Sequence, residues 1–161
     1  KMRDPFGIQG YPHVEGRDGS RTPMLWQQEA PQAGFTEAPE PWLPIPEEHR
    51  PQAVDVQEAD PNSLLQKYRQ LIQWRRRQPA LRQGTLQLLE LSCPDLVGFI
   101  RACDQQQLLC LFNLSPETVY QDLSSLPPCQ PDSSEGFSDR SYQDILELPP
   151  YGVFFGSLKK G

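Results

Sequence analysis

Positive charge is scarce in this sequence: 15 lysines and arginines face 21 aspartates and glutamates, for a net charge of -6. A nucleic-acid binder needs a basic patch to displace counterions from phosphate, so no nucleic-acid partner is expected. Long apolar runs are missing as well; none approaches the ~20 residues that cross a bilayer, and no membrane partner is expected. No signal-peptide apolar region follows the opening Lys1-Met2-Arg3-Asp4-Pro5-Phe6, which makes the cytoplasm the expected location. Metal-binding residues are few. Cys93, Cys103, Cys110 and Cys129 form no CxxC pair, and the two histidines, His13 and His49, stand far upstream. Neither a metal site nor a cofactor is expected, and the cysteines read as reduced thiols packed in β-structure.

Proline, by contrast, is abundant, with 18 residues crowding the first third and returning near the end. Each fixes φ and removes a backbone donor, which bars long helix or central strand from those stretches. From Lys1 to about Asp60 no period of 3.6 or 2 is sustained, and Ala38-Pro39-Glu40-Pro41-Trp42-Leu43-Pro44-Ile45-Pro46 forbids regular pairing. The expectation is one long loop. Loops beyond ~12–15 residues are uncommon inside compact domains, so this one either is disordered or drapes over a scaffold outside the chain. Trp26, Phe35 and Trp42 favour the second option, because disordered segments are poor in large aromatics.

Order then sets in. Asp60-Pro61-Asn62-Ser63 supplies cap residues, and Leu64, Leu65, Tyr68, Leu71, Ile72 and Arg75 recur at helical spacing, predicting a helix over 63–78 that Pro79 ends. Arg75-Arg76-Arg77 falls in its last turn, where cations complement the helix dipole. After Gly84 the pattern changes to short β-like runs at 85–91, 96–102, 108–114, 119–123, 142–148 and 152–158, divided by turn formers; residues 127–141 read as a surface loop. Strands at this spacing suggest a small antiparallel β-sandwich. A lone amphipathic helix with no partner helix is half of an interface.

The segment Gly16-Arg17-Asp18-Gly19-Ser20-Arg21-Thr22-Pro23-Met24-Leu25-Trp26 resembles the GRDGxRTPMxW motif of α-glucosidases and oligo-1,6-glucosidases in glycoside hydrolase family 13, the α-amylase clan. Further landmarks follow in that family's order: Ala33-Gly34-Phe35-Thr36, Pro41-Trp42-Leu43-Pro44, Val54-Asp55-Val56-Gln57, Asp60-Pro61-Asn62-Ser63-Leu64-Leu65, Tyr68-Arg69, Leu71-Ile72 and Pro79-Ala80-Leu81 with Gly84. Upstream, Asp4-Pro5-Phe6 is similar too. Position 25 departs from the family's usual Gln or Pro, and Asp55 stands where Asn is common. The resemblance implies an α+β fragment. Residues 1–83 would be the last loop and last helix of a (β/α)8 TIM barrel, and 84–161 a C-terminal antiparallel β-sandwich.

It also implies an α-glucoside or small-oligosaccharide substrate and a retaining mechanism with two carboxyl groups about 5–5.5 Å apart. The family's nucleophile Asp, acid/base Glu and stabilising Asp all lie upstream of the motif, so no catalytic residue is expected in this chain and it is expected to be inactive alone. The pairs Glu15/Asp18 and Asp55/Glu58 are poor substitutes, since nothing in the chain supplies the water-excluding cavity that raises an acid's pKa. One substrate-binding residue is implied, Arg17, whose planar fork would donate to glucose hydroxyls and pair with an upstream Asp. The competing reading is a loop-internal ion pair of Arg17 or Arg21 with Asp18 or Glu15.

Other classes stay open at this point. A sucrose or trehalulose-type isomerase or a transglycosylase shares these landmarks, and so does the non-catalytic ectodomain of an amino-acid-transporter heavy chain. A free-standing carbohydrate-binding sandwich would need exposed aromatic platforms, whereas Phe99, Phe112, Tyr120, Phe154 and Phe155 are expected mostly to face inward by alternation.

Overall fold

The computed structural model describes residues 2–14, 16–132 and 145–159. Expectations for Glu15, for most of the loop at 127–141 and for the first residues of the strand at 142–148 therefore lie outside the described residues. The chain divides into two compact units, Lys1–Arg69 and Gln70–Gly161.

The first unit is more structured than one long loop. Helix α1 spans Pro5–Gly10, with Pro5 in its first turn and the Asp4 carboxylate accepting from the Phe6 N–H. Short 3₁₀ turns follow at Asp18–Arg21, Pro31–Gly34 and Glu47–Gln52, and helix α2 spans Val54–Ala59. Such elements run for one or two turns, and of the five only α1 has a side-chain cap, which is why neither periodicity nor cap residues announce the rest. Backbone contacts tie distant parts together: Val54 N and Asp55 N donate to the carbonyls of Leu25 and Trp26, and Trp26 N and Gln27 N share that of Ala33.

Helix α3 covers Leu64–Arg77, one residue inside each predicted limit. The Ser63 hydroxyl accepts from Gln66 N at 3.2 Å and donates to the Gln57 carbonyl at 2.6 Å, so it both caps α3 and holds the end of α2. Leu64 and Tyr68 of the predicted apolar stripe are exposed, and the fully buried member of the helix is Trp74. Past the Pro79 boundary a further short helix, α4 at Pro79–Gln83, uses that proline at its start.

In the second unit, strands β1 (Thr85–Leu88), β2 (Leu96–Ala102), β3 (Gln107–Asn113), β7 (Val153–Leu158) and β5 (Cys129–Pro131) form an antiparallel sheet in that order. A two-stranded antiparallel ribbon joins β4 (Val119–Asp122) to β6 (Ile145–Leu148). The six predicted runs all contain strands. β5 was hidden by Pro127, Pro128 and Pro131, and it is an edge strand, the one place a sheet accepts proline.

β3 is buried on both faces. Leu109 and Leu111 join Leu96, Leu123, Leu146, Leu148, Phe154 and Leu158 in one cluster; Leu108 and Cys110 join Trp74, Ala80 and Phe155 in another. Trp74 lies 4.5 Å from Phe155, centroid to centroid, and its indole N–H donates to Asp132 at 2.9 Å. The sheet thus carries a helix on one face and the ribbon's Leu146 and Leu148 on the other. Among the described residues this is an α+β arrangement of two antiparallel sheets and several helices, with no closed barrel or full sandwich. Phe154 and Phe155 are both buried, not by alternation but because each face of the sheet carries a cluster; Tyr120 is 63% exposed because the ribbon register puts Val119 and Gln121 opposite Leu148 and Leu146 and leaves Tyr120 outside with Glu147.

Candidate functional site

Arg17 is the residue the sequence singles out, and its surroundings are built by the first unit. Gly16 precedes it with φ +75°, and a Cβ there would sit 2.8 Å from the Gly7 Cα, so only glycine lets this strand of the loop lie against α1. That approach brings Arg17 to the N-terminus of α1. Its Nε donates to Asp4 Oδ2 and its Nη2 to Oδ1, both at 3.0 Å, while its backbone N–H donates to Oδ2 at 2.8 Å. Asp4 is 1% exposed and therefore serves α1 as cap and Arg17 as a two-pronged acceptor.

The hydrogen bonds from the Arg17 side chain, helped by the backbone donors of Arg17 and Phe6, outweigh burial and hold the Asp4 carboxyl well below the usual carboxylate range. The same bond and the carboxylate's charge raise the Arg17 guanidinium. The fork is thus locked in its charged state and in one plane. Its side chain is nonetheless 59% exposed, and Nη1 has no hydrogen-bond partner among the described residues. With Phe6, Val14 and Gly16 it lines an open recess of about 300 Å³.

The competing reading pairs Arg17 with Asp18 or Glu15. Arg17 pairs with Asp4, thirteen positions upstream, not with Asp18; Glu15 lies outside the described residues. Asp18 instead accepts from the backbone N–H groups of Arg3 and Asp4 and so fastens the chain before α1. Arg21 makes no ion pair among the described residues. Sequence separation hid the Asp4 contact, although Asp4-Pro5 is a helix-start signature in its own right.

Asp55 and Glu58, the second alternative pair, are committed to structure. Asp55 accepts from Gln28 N at 3.1 Å and from Val56 N at 2.8 Å, bonds that an Asn carbonyl could also accept, which accommodates the departure at that position. Glu58 pairs with Arg69 at 2.7 Å. Among the described residues no cluster of three or more His, Cys, Asp or Glu side chains could hold a metal ion, and no helix is long and apolar enough to cross a membrane. The four cysteines form no disulfide with one another, and burial pushes Cys110 up to about 12.

Comparison with known proteins gives this geometry a context. The chain is 40% identical over 157 residues to a probable alpha-glucosidase of Rhizobium meliloti (strain 1021), covering 98% of this chain and 28% of that protein. It is 33% identical over 115 residues to the oligo-1,6-glucosidase of Parageobacillus thermoglucosidasius, covering 71% of this chain and 20% of that one. The crystal structure of the alpha-glucosyl transfer enzyme XgtA superposes with a TM-score of 0.87 at 34% identity, over 98% of this chain and 29% of XgtA. The chain therefore spans under a third of the length of these relatives. Residues 1–84 match the alpha amylase catalytic domain, and on that match the chain belongs to the α-amylase family of glycoside hydrolases.

Proposed function

We propose that this chain is the C-terminal part of an α-glucosidase-type enzyme that cleaves α-glucosidic bonds of small oligosaccharides. Residues 1–83 are read as the end of the catalytic (β/α)8 barrel and 84–161 as its C-terminal β-sandwich domain. Support for that division comes from the match over residues 1–84 and from the exposed faces of Leu64, Tyr68, Trp26 and Trp42, which a barrel wall would cover. In this reading the rings of Trp26, Phe35 and Trp42 are anchors.

The observation that carries the functional reading is Arg17: a guanidinium fixed by a buried carboxylate, with one free N–H edge facing an open recess. Because Asp4 consumes Nε and Nη2, Nη1 is left to donate to a sugar hydroxyl or to an upstream carboxylate, and the side chain arrives with its rotamer already fixed. The two reacting carboxyl groups would come from the upstream barrel; this chain positions the glucose and contributes neither nucleophile nor acid. Transglycosylation is the favoured second reading, on the superposition with XgtA.

Turnover of 4-nitrophenyl α-glucoside tests both parts. The purified chain should show none, and the same chain joined to a family barrel should show it. In the joined enzyme Arg17→Lys keeps the charge but loses the fork, and kcat/KM should fall roughly 10- to 100-fold, the worth of a charge-assisted hydrogen bond. Arg21→Lys should change little. Equal kcat/KM for Arg17→Lys and the parent would remove Arg17 from the site.

A further inference from the structure

The five-stranded sheet of the second unit ends on two strands that differ in their protection. β5 carries Pro131 and follows Pro127 and Pro128, and proline is one of the residues that blunt a sheet edge. β1 has no such device: from Gln83 to Leu89 there is neither a proline nor a charge. From this edge we infer an interaction surface for a second copy of the chain, the two β1 strands pairing antiparallel about a two-fold axis through Gln87.

Backbone direction comes first. Leu89 N donates to the Gly98 carbonyl at 3.0 Å, so by the alternation of an antiparallel ladder Leu89, Gln87 and Thr85 direct their N–H and C=O groups to β2, and Leu86 and Leu88 turn theirs to the open side. The side chains of those two residues are exposed as well, at 59% and 71%. Leu88 begins a cross-strand row that continues through Phe99 and Cys110 to Phe155, and its last two members are buried. At the β1 end the same apolar row lies open.

Register makes the strand its own complement. An axis through Gln87 sets Leu86 against Leu88 of the second copy and Leu88 against its Leu86, so each exchanges both backbone bonds with a residue whose groups also point outward. The leucines of the two copies then adjoin on one face, as cross-strand neighbours do. A slip of one residue would instead aim these groups at Gln87, whose own are held by β2.

Charge complementarity selects the same register. Glu90 is exposed, and neither it nor Arg101 makes an ion pair among the described residues. The axis through Gln87 places Glu90 across from Gly84 of the second copy. That is where the Arg101 guanidinium is anchored, its Nη2 donating to the Gly84 carbonyl at 2.7 Å and its Nε to the Thr85 carbonyl at 3.2 Å. Each end of the paired strands thereby brings one carboxylate to one guanidinium, an arrangement that favours this partner and this register over others. The contact is short, four residues of β1 against their copy, and falls below the ~1,200 Å² of lasting complexes, so the dimer is a weak one.

Sedimentation equilibrium of the chain at concentrations up to about 1 mM tests the pairing, with a monomer–dimer dissociation constant of roughly 0.1–1 mM expected. Leu88→Lys, which sets a charge in the apolar row, and Leu88→Pro, which removes a donor that β2 does not use, should each raise that constant about tenfold or more. Glu90→Lys should raise it about threefold or more by placing like charges together, and Tyr120→Ser, on the separate ribbon, should leave it unchanged. Hydrogen exchange at Leu86 and Leu88 should slow as concentration rises, with a smaller change at Gln87. A single species up to 1 mM, association that survives both Leu88 variants or Glu90→Lys, or concentration-dependent protection elsewhere than Leu86 and Leu88 would each overturn the two-fold pairing. The same measurement on the chain joined to a family barrel names the other occupant: a dimer that persists there and is lost with Leu88→Lys supports the inference, and a dimer abolished by the barrel assigns the edge to the upstream segment and overturns it.

Discussion

The two units of this chain hold themselves together by different means. In the first, the fully buried apolar side chains are small or few, Ala33, Leu43 and Ala53, and the tertiary fastening is polar: Asp4 to Arg17, Asp18 to the backbone of residues 3 and 4, Asp55 to Gln28, Arg50 to the carbonyls of Gln28 and Ala30. In the second, two apolar clusters share a strand, and polar ties such as Asn113, whose amide donates to the carbonyls of Glu117 and Pro149, sit at the margin. Burial rewards bulk, while hydrogen bonds reward position. A loop assembly that must present particular side chains is built the second way, and a supporting module the first.

Mutation can break this contrast. The largest effect is expected in the second unit, where Phe154→Ala should cost about 3–5 kcal/mol in urea unfolding, the cost of emptying a packed aromatic site. Gly16→Ala should be next, at roughly 1–3 kcal/mol, because it forces a Cβ into both a left-handed backbone and the Gly7 Cα; its effect should appear in signals of residues 2–21 and leave the β-sheet unchanged.

pH sharpens the contrast, since the two units should fail at opposite ends. The folded pKa of Cys110 is raised from 9.0 to about 12, chiefly by burial, so the neutral thiol favours folding fully below 9 and that contribution is lost as pH rises toward 12. The slope should be roughly 1.4 kcal/mol per unit in that window and absent in Cys110→Ala. Asp4 has the opposite sign. Its folded pKa is depressed, so its contribution is present above the ordinary carboxylate pKa of 3.8 and disappears only as pH falls below that range. Amide chemical shifts of Gly16 and Arg17 should therefore hold steady through the ordinary carboxylate range near pH 3.8 and move only well below it, and Asp4→Asn should move them at every pH while leaving the second unit's resonances in place.

The same division decided what could be read from the residues alone. α3 was legible from apolar residues at helical spacing, and the six strand runs from short apolar and β-branched stretches divided by turn formers. The fold class was legible to the level of α+β with antiparallel sheet. α1, α2 and the 3₁₀ turns were not, because they depend on single bonds from residues far away in sequence. Arg17 was visible through its motif, whereas Asp4 became visible only when Gly16 folded it against α1. Trp74 escaped notice because the stripe was traced through Leu71 and Ile72, which are only half-buried, and not through the indole that fills the contact. Tyr120 was misread because alternation says which residues share a face but not which face is covered.

The double burial of β3 has a consequence for how the second unit comes apart. Leu109 and Leu111 belong to one cluster while Leu108 and Cys110 belong to the other, on a single run of backbone paired on both sides, to β2 and to β7. Neither cluster can be opened while that strand stays in place, and neither survives its removal. Partial opening is thereby discouraged, and amide protons of residues 108–111 should exchange with solvent together and last, by one global event rather than by local breathing.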